Sequence, residues 1–145
     1  MKIVSSSFQD NTKIPSKYTC DGEGVSPPLS FVDVPGNAKS LALIMDDPDS
    51  PNRTFVHWIL YNIDPKTIEI QENSVPQSAN LGLTSLGKPG FVGSCPNVGT
   101  HHYHFKLYAL DKILNLTNPD KATLEKEMQD HILEKAELVS LYSRI

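Results

Sequence analysis

The sequence has no apolar run near the roughly 20 residues that a membrane-spanning helix needs. Its first fifteen residues, MKIVSSSFQDNTKIP, carry one early Lys but no apolar stretch of the length a secretory signal uses. A cytoplasmic location is therefore expected. Basic residues are few: 13 Lys and Arg stand against 17 Asp and Glu, a net charge of −4, so neither nucleic acid nor an anionic membrane is expected as a partner held by bulk electrostatics. Only two cysteines occur, Cys20 and Cys95. They form no CxxC redox or zinc pattern, and in a reducing compartment they are expected as two unpaired thiols. A phosphate loop ending in GK[ST] and a GxSxG nucleophile elbow are both missing, as are internal repeats and low-complexity tracts.

What is present is enough for one core. A chain of 145 residues matches one ordinary domain, 1–145, able to bury a core without staples. Its 11 prolines and 8 glycines are scattered and punctuate a β-rich domain rather than mark a linker. Leu29–Val32 and Ser40–Met45 read as short strands, the second a continuous apolar run that ends abruptly at DDPDSP. Alternation along Val56–Ile63 predicts a strand with His57, Ile59 and Tyr61 on one face and Trp58, Leu60 and Asn62 on the other. From Ile70 to Cys95 the chain has no clear period and is expected to be irregular. HHYHFKLYAL, His101–Leu110, alternates strongly enough to predict a strand, with His101 and Tyr103 on one face and His102 and His104 on the other. Leu124, Met128, Ile132 and Ala136 recur every fourth residue and predict a helix over about 123–136 that covers a sheet.

The residues able to carry chemistry cluster at strand ends. Asp47-Pro48-Asp49-Ser50-Pro51 is by itself an ordinary turn. It gains interest because it leaves a buried strand and His57 follows eight residues after Asp49. A carboxylate that accepts from one ring nitrogen fixes a histidine's tautomer and aims the other nitrogen at a ligand. Asp47 can do this for His57 or His101. His101 and Tyr103 share a strand face, both able to donate to phosphate or carboxylate oxygens. Upstream, GFVGSCPNVG (90–99) places Gly93, Ser94 and Cys95 in a loop whose N–H groups could cradle the same anion.

Several ordered strings then carry a resemblance: YTCDGEGVSPPL (18–29), DPDSP (47–51) with His57-Trp58, GSCP (93–96) with GTHHY (99–103), FKLYALD (105–111), and the ending HILEKAELVSLYSR (131–144). Together they resemble the bacterial and archaeal, Raf-kinase-inhibitor-like branch of the phosphatidylethanolamine-binding protein family, over about Phe8 to Arg144. The resemblance implies a mainly β fold, an antiparallel β-sandwich with Greek-key connections and a helix in the C-terminal region. It implies a non-catalytic protein with a small pocket for phosphate, another small anion or a phospholipid headgroup, and no cofactor. The matching positions make Asp47, Asp49, His57, Gly93, His101 and Tyr103 expected ligand-binding residues, and the loop reading adds Ser94 and Cys95. Regulation of a protein kinase or serine protease, and a homodimer, are further implications. The chain departs from the family pattern in three places: His102 stands where an Arg is usual, Phe31 stands where this branch often has Trp, and the sequence ends soon after Tyr142 without the extra C-terminal helix of mammalian members.

One alternative starts from the same histidines. Imidazole with carboxylate also suits zinc or iron, so a metal-dependent hydrolase or cupin-like enzyme using His102, His104, His57, Asp47 and Asp49 is the competing expectation. Strand alternation speaks against it, because it separates His102 and His104 from His101 and Tyr103.

Overall fold

A computed structural model describes residues 1–144. The elements run β1 (Lys2–Val4), β2 (Thr12–Lys13), β3 (Leu29–Val32), β4 (Ser40–Asp47), β5 (Phe55–Ile63), β6 (Glu69–Ile70), β7 (Asn80–Leu81), β8 (His101–Leu110), α1 (Lys121–Met128) and β9 (Ile132–Tyr142). Two sheets form: a small one in the order β1-β3-β6 and a larger one in the order β2-β9-β8-β4-β5-β7. All pairings are antiparallel except β2 with β9, so the larger sheet is mixed. The mainly β fold expected from the sequence is the fold observed.

The core sits on both faces of the larger sheet. Strand β4 lies between β8 and β5, and all eight of its residues are buried. Period-two alternation sends Leu41, Leu43 and Met45 into the space between the sheets, where they meet Phe31, Trp58, Phe105 and Leu107. Ala42 and Ile44 go to the opposite face, against Leu124 and Met128 of α1. The same alternation parts two adjacent carboxylates at the strand's end. Asp46 turns to the helix side, where its Oδ2 accepts from Lys106 Nζ at 3.1 Å and Lys121 Nζ at 2.7 Å, tying α1 to the sheet. Asp47 turns to the side of the inter-sheet core.

Two sequence-based expectations change here. The first is the helix over 123–136. Asp120 caps α1 by accepting from Thr123 N–H at 2.8 Å, but α1 ends at Met128. Gln129 is extended and Asp130 adopts φ +69°, a left-handed turn that a helix cannot continue through. Ile132 and Ala136 belong instead to β9, the neighbour of β8. A spacing of four fits a helix turn, and it is also twice the strand period, so the pattern alone does not separate the two.

The second is the face of His57. Met45 pairs with Trp58, but Asp46 pairs with Val56, which leaves His57 as an extra residue in β5, a β-bulge. Trp58 and Leu60 face the inter-sheet core, while Val56, Ile59 and Tyr61 face the helix side. The bulge frees His57 from that alternation and turns it toward Tyr103, with ring centroids 5.3 Å apart and edge-on.

Candidate functional site

At one end of β4, β5 and β8 lies a cavity of about 260 Å³ whose walls include Asp47, Phe55, His57, Gly93, His101 and Tyr103. Each wall follows from the strands just described. The last residue of β4 supplies Asp47, the bulge of β5 supplies His57, and one face of β8 supplies His101 and Tyr103. The loop before β8 closes the remaining side with Val92, Gly93, Cys95 and Asn97, and the turn after β4 adds Ser50 and Pro51.

Asp47 is almost fully buried at 3% exposure, and both its oxygens are used. Oδ2 lies 2.7 Å from His101 Nδ1, and Oδ1 accepts from the Asp49 N–H at 2.8 Å, the local bond that shapes an Asp-Pro-Asp turn. Of the two histidines Asp47 could orient, it therefore takes His101. The second ring nitrogen of His101 lies 3.1 Å from the Val98 carbonyl. Both partners are acceptors, so the arrangement is satisfied in full when both ring nitrogens carry hydrogen.

His57 is oriented differently. Its Nδ1 lies 2.7 Å from the Val92 carbonyl oxygen, and a carbonyl can only accept, so Nδ1 carries the hydrogen. Burial holds the pKa of this ring below the ordinary histidine value, opposed by the Val92 bond and the Asp47 charge. The neutral ring then presents Nε2 as an acceptor. His57 thus meets a ligand as an acceptor, unlike the donors Tyr103 and the loop N–H groups.

A titration consequence follows. A buried base with a lowered folded-state pKa favours unfolding in acid: its stability contribution is whole above the ordinary value of 6.5 and is lost as pH falls from there toward the folded value. One such group adds a slope of at most about 1.4 kcal/mol per pH unit. Urea melts at pH 7.5 and 5.0 are expected to show a steeper acid loss in wild type than in a His57→Asn variant. Equal slopes would mean that His57 is already charged in the folded protein.

The pocket also holds unspent hydrogen-bonding groups. Tyr103 is fully buried and its hydroxyl has no partner of hydrogen-bonding geometry among the described residues; the same holds for Ser94 Oγ. Burial, and next the charge of Asp47, push the phenol far above its ordinary pKa, while the Cys95 backbone and the Ser94 hydroxyl act in the opposite direction. Tyr103 is therefore a firmly protonated donor. An orphaned buried hydroxyl costs about 1–3 kcal/mol, a cost that a bound acceptor would remove. The N–H groups of Gly93 and Cys95 donate to no backbone carbonyl among the described residues. A Cβ on Gly93 would sit tightly against backbone, 3.1 Å from the Tyr18 carbonyl oxygen and 3.2 Å from Thr19 Cα.

Two expected residues stand apart. Asp49 does not line the cavity. Its Oδ2 accepts from the backbone N–H of His102 at 2.8 Å and lies 2.7 Å from His102 Nδ1, contacts that hold its carboxyl below the usual range, the side-chain bond contributing most. His102, in the place of the usual Arg, thus braces the turn that carries Asp47. Ser94 is buried behind the wall rather than in it. Phe55, Val92 and Asn97 were missed by sequence reasoning. Phe55 was readable, since it sits two residues before His57, and their rings lie 4.7 Å apart. Val92 and Asn97 carried no side-chain signal.

The cysteines also differ from expectation. Cys20 and Cys95 form a disulfide with Cα atoms 5.4 Å apart, not two thiols. The cause is tertiary: Thr19 and Ser94 form a parallel bridge, and the Cys20 N–H donates to the Ser94 carbonyl at 3.1 Å, which brings the next residues side by side.

The donors of a metal enzyme are not assembled. His102 pairs with Asp49 and His104 with Glu137 at 2.8 Å, both on the face opposite the pocket. Among the described residues no group of three or more His, Cys, Asp or Glu side chains converges as a metal site would require.

A mainly β protein with a small pocket at the ends of three central strands has the form of a binding protein. The chain belongs to the phosphatidylethanolamine-binding protein family, whose model matches residues 4–143. It is 45% identical over 151 residues to a UPF0098 protein of Methanothermobacter thermautotrophicus, covering 99% of each chain. A solved structure of a phosphatidylethanolamine-binding protein homolog from Chlamydia trachomatis superimposes with a TM-score of 0.95 at 39% identity, covering 99% of this chain and 97% of that one. The Escherichia coli protein YbcL, described as a member of the mammalian family, gives 0.90 at 26% identity, covering 99% and 98%. Among the described residues no helix is long and apolar enough to cross a membrane.

Proposed function

We propose that the pocket reversibly binds a small oxyanion that also carries a hydrogen, namely a protonated phosphate or the phosphoethanolamine headgroup of a phospholipid, without transforming it. The observation that carries this reading is the mixture of unspent groups on one small cavity. Tyr103 offers a buried hydroxyl donor with no acceptor, and the Gly93 N–H group offers another. His57 Nε2 offers an acceptor, because its other nitrogen donates to Val92. A ligand with both acceptor oxygens and a P–OH or ammonium hydrogen satisfies both kinds of group. A fully deprotonated anion would meet Asp47 and the His57 lone pair with nothing to offer.

A binding role is favoured over catalysis by what has happened to the nucleophile candidates. Cys95 is held in a disulfide in this structure, Ser94 is fully buried and outside the cavity lining, and the Tyr103 phenol is held protonated. A pocket of this volume lies at or below the small end of ligand sites, which suits a headgroup rather than a whole lipid.

Tyr103→Phe separates binding from folding. Removing an orphaned hydroxyl is expected to leave stability unchanged or raise it by about 1 kcal/mol. The same change is expected to weaken phosphate and phosphoethanolamine about tenfold by calorimetry, the cost of one good hydrogen bond. An unchanged affinity would remove Tyr103 from the site, and an absence of heat with either ligand in wild type would overturn the reading.

A further inference from the structure

The Cys20–Cys95 disulfide forms part of the pocket wall, since Cys95 lines the cavity. Both cysteines are exposed residues, so a dithiol in solution can approach the bond. We propose that this disulfide is a redox latch on the anion pocket: when formed it holds the wall segment around Gly93–Asn97 in its binding position, and when reduced it releases that segment and affinity falls. The inference rests on the anion-binding reading above and adds its regulation.

The local bonding explains why this bond matters to the pocket. Two hydrogen bonds secure the start of the wall: the Val92 N–H to the His57 carbonyl at 2.9 Å, and the Cys20 N–H to the Ser94 carbonyl at 3.1 Å. Beyond Ser94 the support thins. Among the described residues, the stretch 95–100 reaches pocket side chains through the Val98 carbonyl, 3.1 Å from His101 Nε2, and through the Cys95 backbone N–H, which faces the Tyr103 hydroxyl. Asn97, Val98, Gly99 and Thr100 are all exposed, and the Val98 N–H bonds only to the side chain of Asn97 at 3.0 Å. Together with buried Pro96, the disulfide anchors a stretch that supplies Cys95 and Asn97 to the cavity.

The site next to this anchor is the one that must stay ordered for a ligand. A loop released from its tether must be ordered again on binding, and that entropy is subtracted from affinity. In a reducing compartment such as the cytoplasm expected from the sequence, disulfides are commonly transient and redox-sensing rather than structural. Exposure and proximity to a binding site fit that use.

The chemistry is thiol–disulfide exchange with a dithiol reductant, either a small molecule or a CxxC oxidoreductase. A thiolate of the reductant attacks one sulfur of the pair, the S–S bond breaks, and a mixed disulfide forms as the other cysteine leaves. The reductant's second thiolate then attacks its own sulfur in that mixed disulfide and releases the second cysteine. Two electrons and two protons pass to Cys20 and Cys95, and the dithiol becomes a disulfide. Coupling is reciprocal: whatever factor separates the anion affinities of the two forms is the factor by which bound anion resists reduction.

Calorimetric titration of inorganic phosphate into oxidised wild type, dithiothreitol-reduced wild type and a Cys20→Ser variant kept in dithiothreitol tests this. Cys20→Ser retains the Cys95 side chain in the wall and removes only the tether. Affinity is expected to fall about five- to tenfold in both untethered forms, with the near-UV circular dichroism of the core preserved. The ratio of reduced to oxidised dithiothreitol at half-reduction is expected to rise by the same factor in saturating phosphate. Affinities within twofold of one another in all three forms would overturn the latch and leave the pocket standing. Loss of the near-UV signal on reduction of wild type would also overturn it, making the bond a staple of the fold. An absence of phosphate binding to the oxidised protein would overturn the pocket reading, and the latch with it. Should Cys20→Ser fail to fold, the reduced wild type decides between these outcomes.

Discussion

Replacing Asp47 by alanine is expected to destabilise the fold by about 3–5 kcal/mol, since it orphans two hydrogen-bond donors at about 1–3 kcal/mol each, and to abolish phosphate binding. Asp47 and His101 are 3% and 6% exposed, and their 2.7 Å contact is, among the described residues, the one side-chain hydrogen bond to the His101 ring. Without the carboxylate, the buried His101 Nδ1 is left without a partner while the other ring nitrogen still faces the Val98 carbonyl. The Asp49 N–H loses its acceptor in the same step, so the Asp-Pro-Asp turn at the pocket mouth loosens as well. Asp47→Asn keeps an oxygen of the same reach and is expected to cost less in stability while still weakening binding. Urea denaturation and phosphate calorimetry on both variants measure the two effects. A loss under about 1 kcal/mol for Asp47→Ala would mean that the pair contributes no more than an exposed one.

Trp58→Ala is expected to cost a similar amount, about 3–5 kcal/mol, for a different reason. Trp58 is 1% exposed and meets Phe91 edge-on, with ring centroids 5.3 Å apart and planes at 90°. Its removal opens a cavity in the inter-sheet core and takes away the surface on which the Phe91-Val92-Gly93 wall rests. The Val92 carbonyl that fixes the His57 tautomer then loses its support, so phosphate affinity is expected to fall with stability. Trp58→Phe retains part of the ring contact and is expected to lose less on both counts. Full affinity in a destabilised Trp58→Ala protein would show that the wall is positioned by the disulfide and backbone bonds alone.

The parts of this molecule that were legible in its sequence are those governed by local period. Strand β8 runs ten residues without interruption, so alternation places His101 and Tyr103 together and sends His102 and His104 away. Strand β4 ends in a turn whose residues announce it. What escaped the sequence depends on pairing between distant segments. The face of His57 is decided by where Asp46 meets Val56, a register shift that β5 does not encode by itself. The disulfide spans 75 residues and follows from the Thr19–Ser94 bridge. Asp49 looked equivalent to Asp47 in the linear motif, but the free N–H at the start of β8 and the His102 ring claim its carboxylate. The helix drawn through Ile132 and Ala136 failed because a four-residue spacing suits strand and helix alike, and only the left-handed Asp130 marks the break.

These misses share a consequence for the site. The bulge that sequence periodicity could not see is what brings His57 against Tyr103, and the carbonyl that makes His57 an acceptor belongs to a residue with no polar side chain. The pocket's chemistry is therefore set as much by backbone as by the motif residues. The most direct test follows the five histidine rings and the tyrosine hydroxyls by nitrogen-15 and proton NMR while phosphate is raised to about 10 mM, a range that captures even a weak site. Saturable shifts at His57 Nε2, at the His101 ring and at the Tyr103 hydroxyl, with His104 and His131 unmoved, are the expected result. Shifts confined to the exposed histidines, or none at all, would contradict anion binding at this pocket.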